Sequence, residues 1–391
     1  MKVLVIGGAG SMGRATVRAI QHFDFVEQVV IAGLDYDRAL RFTQALNDDR
    51  FSARYLDIND QIDMRASIQA CDVVLNTAGP FFRFGLPVLQ AAIDEKKHYC
   101  DICDDWQPTL AMMKLHEQAV KQGVIAVIGL GASPGIANML ALKATQQLDQ
   151  VDTLYSAWRL SNAHNEDDGF FDQGDAAANA DAAAVHLVHC LTETIPLLEN
   201  GIVNDHLPLQ QRSFHFPNYG KLDLWTIGHP EAVTLPRQFT GLKNCVNGML
   251  GIATIVEDLR TLSDQVRQGK ITVDQAAAML MDDGGRERRR AQLQGLEAEN
   301  APGIIAYAEG FKNDVPCRVG VTLKAVPAGG MSAVTGIPLA LFLALLHQNA
   351  VQGPGVMSPE CAIDPNRFFT LLDQFTPPHG CGLTVQCETY S

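Results

Sequence analysis

Over its first 130 residues the chain alternates short apolar runs with stretches whose apolar positions recur every three or four residues. The runs predict strands at 2–7, 28–33, 51–57, 72–76, 97–100 and 124–129. The helical spacing predicts helices near 11–22, 36–47, 62–70, 84–95 and 106–122. Short Val/Ile-rich runs separated by helices imply a parallel sheet buried on both faces. Six such strands suit the two halves of a doubly wound α/β fold.

Beyond residue 135 the pattern changes. Residues 151–160, 211–217, 222–228 and 316–326 alternate or run apolar at strand length, with helical patterns near 180–195, 245–268 and 272–282. This predicts an α+β domain on a mostly antiparallel sheet. Residues 162–181, rich in Asn, Asp, Gly and Ala, read as a mobile loop. From about 331 the chain returns to helix, and Ser332 to His347 is apolar on nearly all sides, which calls for burial against the first domain. No internal repeat is visible. The expected organisation is a nucleotide-type domain over 1–135, a substrate and dimerisation domain over 136–330, and a segment over 331–391 returning to the first domain.

The most informative local motif is Gly8-Ala9-Gly10-Ser11-Met12-Gly13, directly behind Val3-Leu4-Val5-Ile6. Strand, glycine turn and helix in that order make a pyrophosphate socket. Gly8 allows the tight turn, Gly10 the close approach of backbone to phosphate, and Gly13 the packing of helix on strand. Asp35 ends the second strand, about 20 residues past Gly13, the spacing of an acid that bonds the adenosine ribose. Its charge opposes a 2′-phosphate and favours NAD over NADP, while nearby Arg14 and Arg38 can pair with that phosphate, so both cofactors stay open. Ligands on such sheets bind outside the carboxyl ends of the strands. Those ends add Asp57 and Ile58 beside the adenine, Asn76-Thr77-Ala78-Gly79-Pro80 after strand 4, Asp101 after strand 5, and Gly129 to Gly135 after strand 6.

Composition narrows the partners. The 391 residues are 47% hydrophobic and 19% charged, which fits a globular chain of two or three domains. A net charge of −14 argues against nucleic acid, and the basic run Arg286 to Arg290 reads as a solvated helix face. Nine scattered cysteines suit a reducing, cytoplasmic setting. Met1-Lys2 runs straight into the first strand, which predicts no signal peptide. Ile337 to Leu346 is too short for a membrane span of roughly 20 residues.

Four stretches together resemble the saccharopine dehydrogenase family: the N-terminal GGAGSMG; Asp72 to Phe81 followed by Gly85 to Ala92; His98-Tyr99-Cys100-Asp101; and Gly131 to Asn138. Thr335-Gly336-Ile337-Pro338 with its apolar helix, and the later Pro359-Glu360, are similar to the family's C-terminal segment; residues 150–315 match poorly. The resemblance implies a Rossmann doubly wound domain with an inserted α+β catalytic domain that also makes a homodimer. It further implies NAD(P) chemistry at a carbon–nitrogen bond of an amino acid or polyamine. Some relatives reduce carbon–carbon double bonds instead, so the fold leaves the reaction open. Members that make saccharopine or carboxynorspermidine often carry aspartate before the Pro-Gly of the strand 6 loop. Ser133 stands there in this chain, so substrate specificity does not carry over directly.

The expected catalytic candidates follow from what hydride transfer asks of a protein: a positioned proton donor or acceptor, and anchors for substrate carboxylates. Asp101 can steer a nitrogen proton or hold an ammonium, or else form a helix cap or turn. Arg83, Arg159 and Arg237 are the candidate carboxylate anchors, because the guanidinium fork matches two oxygens. Alternation along strand 5 puts His98 and Cys100 on one face, and Tyr99 and Asp101 on the other. Cys100 and Cys103 form a single CxxC with no second pair to complete zinc spacing, and no metal is expected. His186 and His189, three residues apart on a helix, can share a ligand or simply pack. No tyrosine has lysine four residues on, which disfavours a short-chain dehydrogenase, and no hydrolase constellation is present. The competing readings are an enoyl or carbonyl reductase on the same scaffold, and a non-catalytic NAD(P)-sensing protein.

Overall fold

The computed structural model describes residues 1–159, 176–251, 253–281 and 302–390. The chain forms two compact units, Met1–Ile136 with Ala325–Cys381, and Ala137–Lys324 with Gly382–Ser391.

The first unit opens with β1 (Lys2–Ile6), α1 (Ser11–Ile20), β2 (Gln28–Gly33), α2 (Tyr36–Leu46), β3 (Phe51–Tyr55), α3 (Gln61–Gln69), β4 (Val73–Asn76), α4 (Phe81–Asp94), β5 (His98–Asp101), α5 (Trp106–Met113), α6 (His116–Gln122) and β6 (Ile125–Val127). The strands alternate with helices as the apolar runs predict. The expected helix at 106–122 is two helices, parted at Lys114-Leu115. The second unit carries α7 (Ile136–Thr145), β7 (Gln150–Arg159), α8 (Ala176–Thr192), β8 (Ile195–Glu199), β9 (Ile202–His206), β10 (Gln211–Phe216), β11 (Gly220–Thr226), α9 (Glu231–Gln238), β12 (Asn244–Leu250), α10 (Ala253–Arg267), α11 (Val273–Met281), β13 (Ile304–Lys312) and β14 (Val315–Thr322). The chain then adds α12 (Gly330–His347), β15 (Gly355–Met357), α13 (Pro359–Ala362) and α14 (Pro365–Gln374) to the first unit, and β16 (Thr384–Thr389) to the second.

The first sheet is parallel, in the order β15-β6-β5-β4-β1-β2-β3. The order reverses between β1 and β4, so their carboxyl ends flank the crevice where such sheets bind ligands. Val3, Leu4, Val5 and Ile6 of β1 are all buried, as a strand covered on both faces requires. Each fully buried aliphatic side chain of this kind contributes about 1.5–3 kcal/mol. The seventh strand, β15, escaped the sequence reading: its three residues, Gly-Val-Met, are too short to show a period, and pairing with β6 alone defines it.

Helix α12 has 18 residues and mean hydropathy 1.7, long and apolar enough to cross a membrane by those criteria. It packs on α1. A Cβ on Gly336 would lie 2.4 Å from the Met12 carbonyl oxygen, and Thr16 Oγ1 donates to the Gly336 carbonyl at 2.9 Å. Glycine is what lets the two helices touch at backbone distance.

The second sheet is mixed. Its strands run β10-β11-β12-β7-β13-β14-β16, with the β8–β9 hairpin attached at β12. Only the β12–β7 pairing is parallel among the pairs of this sheet. One face carries the core with α8, α10 and α11, built from Val188, Leu191, Trp225, Met249, Val256 and Ala276 among others. The opposite face is lined by aromatics: Phe214 and Tyr307 rings lie 4.9 Å apart and Tyr155 and Phe214 rings 5.7 Å. Gly320 of β14 has no room for a Cβ, which would meet the Phe216 ring of β10 at 2.6 Å. Strands so far apart in the sheet order touch because the sheet curls around these rings.

The expected helix over 245–268 is corrected at its start. Residues 244–250 are β12, seated between β11 and β7 and buried from Cys245 onward. A strand buried on both faces cannot be told from a buried helix by periodicity. For the same reason β13, Ile-Ile-Ala-Tyr-Ala-Glu-Gly-Phe-Lys, went unread: it lies between β7 and β14, with a register shift at Glu309/Gly310. The return to the first unit expected over 331–391 runs only to Cys381, since β16 pairs with β14. Of the expected loop at 162–181, residues 176–181 belong to α8 and the remainder lies outside the described residues, as does Arg286 to Arg290.

Candidate functional site at the strand ends of the first unit

The glycine turn starts one residue earlier than the motif suggests. Gly7, with φ +77°, occupies the left-handed region, and a Cβ there would lie 2.8 Å from Thr77 Oγ1. The tight-turn role expected of Gly8 therefore falls to Gly7. Gly8 is still confined, since a methyl group on it would stand 3.0 Å from the Ile31 and Val5 side chains. Gly13 fills the role expected of it: any Cβ would lie 2.4 Å from the Gly7 carbonyl oxygen and 2.6 Å from Gly8 Cα. Helix α1 thus rests directly on the turn. Gly10 is its N-cap and brings no side chain to the helix start, where Ser11 and Met12 open the first turn. The backbone here can approach an anion closely, so the residues fit a dinucleotide pyrophosphate.

Asp35 stands exposed at the end of β2. Its Oδ1 accepts the Arg38 N–H at 2.9 Å and caps α2. Asp57 is turned toward Asn59, whose backbone and side-chain amides both donate to Oδ1, and Ile58 is buried beside it. After β4, Thr77 donates from backbone and hydroxyl to the Ile6 carbonyl, tying this loop to the end of β1. Gly79 is exposed, with nothing within 4 Å of a Cβ position, and Pro80 caps α4.

Behind these loops lies a buried polar chain. The Ala78 N–H donates to Asn76 Oδ1 at 3.0 Å; Asn76 Nδ2 donates to the Tyr99 hydroxyl at 3.2 Å; that hydroxyl donates to Asp101 Oδ2 at 2.8 Å. Asp101 Oδ1 accepts the N–H groups of Cys103 at 3.0 Å and Gly129 at 2.7 Å. Asn76, Tyr99 and Asp101 are all fully buried. One carboxylate thereby joins the loops after β4, β5 and β6. The β6 loop is itself closed by Gly131 N–H to Pro134 C=O, and Gly135, at φ +120°, leaves no space for a Cβ against Gly131. Ser133 sits within that closed loop.

Both Asp101 oxygens are turned into the protein and engaged by three donors, so in this structure the carboxylate positions Tyr99, Asn76 and the β6 loop. Burial raises its pKa to about 6, against the three hydrogen bonds that pull it down. The Tyr99 hydroxyl is held well above its usual range, first by burial and then by the Asp101 charge. The strand alternation that paired Tyr99 with Asp101 was legible; that Tyr99 links two loops was not, because Asn76 reaches it from the neighbouring strand. His98 faces the other way and accepts the Ile125 N–H, its pKa lowered by burial.

The remaining candidates lie on separate elements. Arg83 is exposed on α4, its guanidinium 5.0 Å from the Phe84 ring centroid. In the second unit Arg159 ends β7 with its N–H on the Gly303 carbonyl, and Arg237 is exposed in the last turn of α9. Cys100 and Cys103 are buried thiols, each donating to a backbone carbonyl, and burial pushes both pKa values well up. All nine cysteines are unbridged. His189 pairs with Glu193 at 2.7 Å, while His186 turns to Cys190.

Comparison with known proteins fits this geometry. Residues 3–127 match the family described as saccharopine dehydrogenase NADP binding domain. Over its full length, the chain superposes on all of the apo saccharopine dehydrogenase (L-Glu forming) from Saccharomyces cerevisiae, with a TM-score of 0.67 at 14% identity. A trans-acting enoyl reductase from Mycobacterium tuberculosis is 24% identical over 145 residues, 36% of this chain. That match spans 35% of the relative, about a third of its length. Residues 3–127 are thus similar to the saccharopine dehydrogenase NADP-binding domain, and the chain as a whole has the saccharopine dehydrogenase fold.

Proposed function

We propose that this chain is an NAD(P)-dependent oxidoreductase acting at a carbon–nitrogen bond, reducing an imine of an amino acid or polyamine or running the reverse oxidation. The observation that carries the reading is the union of a dinucleotide cradle, Gly7 to Gly13, with a fold shared end to end with a saccharopine dehydrogenase. When bound, the nicotinamide supplies or accepts the hydride. Gly8, Gly10, Ser11, Met12 and Gly13 would hold the pyrophosphate and Asp35 the adenosine ribose, with Asp57 and Ile58 flanking the adenine. Thr77, Ala78, Gly79 and Pro80 would border the nicotinamide. Asp101 acts through Tyr99 and Asn76, fixing the loops in place before any ligand arrives. Arg83, Arg159 and Arg237 are the proposed anchors of substrate carboxylates.

Amino acids and polyamines, each offered with keto acids or aldehydes and with NADH or NADPH, test this reading by the loss of cofactor absorbance. Turnover that requires an amine partner supports it. Turnover of an α,β-unsaturated acyl substrate without amine overturns it in favour of an enoyl reductase, the reading that the likeness to the mycobacterial enzyme favours. Cofactor binding without turnover of any substrate points to a sensing protein. A homodimer and a cytoplasmic setting belong to the same proposal. The dimer draws support from β9, which pairs only with β8 among the described strands and leaves Ile202 and Val203 61% and 60% exposed.

A further inference from the structure

The second unit holds a cluster that the oxidoreductase reading does not use. His186 and Cys190 stand four residues apart on α8, so they share one face of the helix. His229, from the loop between β11 and α9, reaches the same point. One donor atom from each of the three lies within 4.8 Å of the other two. Cys190 Sγ is 3.3 Å from His186 Nε2, and the two imidazole rings are 5.5 Å apart at 62°. Cys190 and His229 are buried and His186 is half-buried.

We propose that His186, Cys190 and His229 form a site for a zinc-class divalent ion. Two imidazoles and a thiolate are the ligand types such ions select, and bonds of about 2.0–2.3 Å in tetrahedral array place ligand atoms about 3.5 Å apart. Sγ and Nε2 already stand at that separation, and a small closing movement of His229 completes the set. The loop that delivers His229 is pinned to the helix: the Gly228 N–H donates to the Cys190 carbonyl, and the Cys190 thiol to the Gly228 carbonyl, both at 3.3 Å. Glu231, fully buried, sets a carboxylate oxygen 3.8 Å from His229 Nδ1. A carboxylate that hydrogen-bonds the far nitrogen of a ligating imidazole orients the ring and raises its basicity, so the proposed site uses His229 Nε2, with Glu231 closing on Nδ1. It also offsets the single positive charge left by a divalent ion on one thiolate. Three protein ligands leave a fourth position for water or a small ligand, the pattern of reactive rather than closed zinc sites. On binding, the Cys190 S–H bond breaks and its hydrogen bond to the Gly228 carbonyl is given up, the proton passes to solvent, and the sulfur lone pair forms the metal–sulfur bond, while the Gly228 N–H to Cys190 carbonyl bond still holds the loop. The spacing of His186 and His189 does not reveal this cluster, since His229 comes from 39 residues beyond Cys190 and only the fold brings it near.

The test uses the whole, tag-free protein, loaded with zinc and desalted, and read by elemental mass spectrometry. One ion per chain is expected. Cobalt loading should give a thiolate-to-metal charge-transfer band that disappears in Cys190→Ser, and Glu231→Gln should weaken binding about 10- to 100-fold. If Cys190→Ser does not fold, the wild-type protein still decides: zinc should protect one thiol from a thiol reagent and raise the melting temperature, and a chelator should reverse both. No zinc retained, cobalt bound without a thiolate band, or full stoichiometry in His229→Asn would each overturn the site. None of these readouts depends on which substrate the chain acts on.

Discussion

The Tyr99 hydroxyl donates to Asp101 Oδ2 across 2.8 Å, at a place where neither residue meets solvent. The two residues are neighbours on one face of β5, and through them the loop after β4 is joined to the loop after β6. Inside a low-dielectric core such a chain holds its shape only when every member is satisfied. Tyr99→Phe keeps the ring and deletes the link, leaving Asn76 Nδ2 and Asp101 Oδ2 each short of a partner. Chemical denaturation should show a loss of about 1–3 kcal/mol, with weakened cofactor binding as the β4 loop loosens.

Asp101 should write its own signature into the pH dependence of stability. Its folded pKa, about 6, is raised above an unfolded value of about 3.9. The folded state therefore holds this proton more tightly. The contribution favours folding fully below about pH 4 and is lost as pH rises to about 6, an effect on the order of 3 kcal/mol. Asp101→Asn carries no charge at any pH. The stability difference between wild type and Asp101→Asn should change across pH 4–6 and stay level above it.

Gly13→Ala places a methyl group 2.4 Å from the Gly7 carbonyl oxygen. The methyl meets fixed backbone and not the end of a flexible side chain, so α1 must lift from the turn. Affinity for NADH and NADPH, followed by fluorescence titration, should fall at least tenfold. Gly303→Ala, where nothing lies within 4 Å of the new methyl, should leave both binding and stability within about 0.5 kcal/mol of wild type.

Asp35→Asn separates charge from capping. Asparagine caps a helix as well as aspartate does, so α2 should be unharmed, while the repulsion of a 2′-phosphate is removed. The ratio of NADPH to NADH affinity should rise several-fold. An unchanged ratio assigns the choice of cofactor to Arg14 and Arg38 alone.

Light scattering should give a dimer for the wild-type chain. Val203→Asp puts a charge on the exposed edge strand β9 and should shift the population to monomer with little change in melting temperature, because the residue is exposed in the single chain.

Much of the first unit was legible in the chain because its information is local. Six strands, the glycine turn and the residues at each strand end follow from apolar runs and punctuation within a few residues. Gly13 could be assigned from spacing alone because helix-on-strand packing repeats in every such turn. Asp101 could be placed but not assigned, since its ligands, Cys103 and Gly129 backbone N–H groups, depend on how two loops fold over it. β12 and β13 were misread or missed because a strand buried on both faces carries no alternation.

What the sequence determined by itself was the parallel sheet, its glycine turn and the residues at its strand ends, all products of near-neighbour periodicity. Tertiary structure alone decided the rest. It joined Asn76, Tyr99, Asp101 and Gly129 into one buried network, curled the second sheet until β10 met β14, and set His229 against His186 and Cys190. Each of these depends on contacts between residues distant in the chain, which no local pattern encodes.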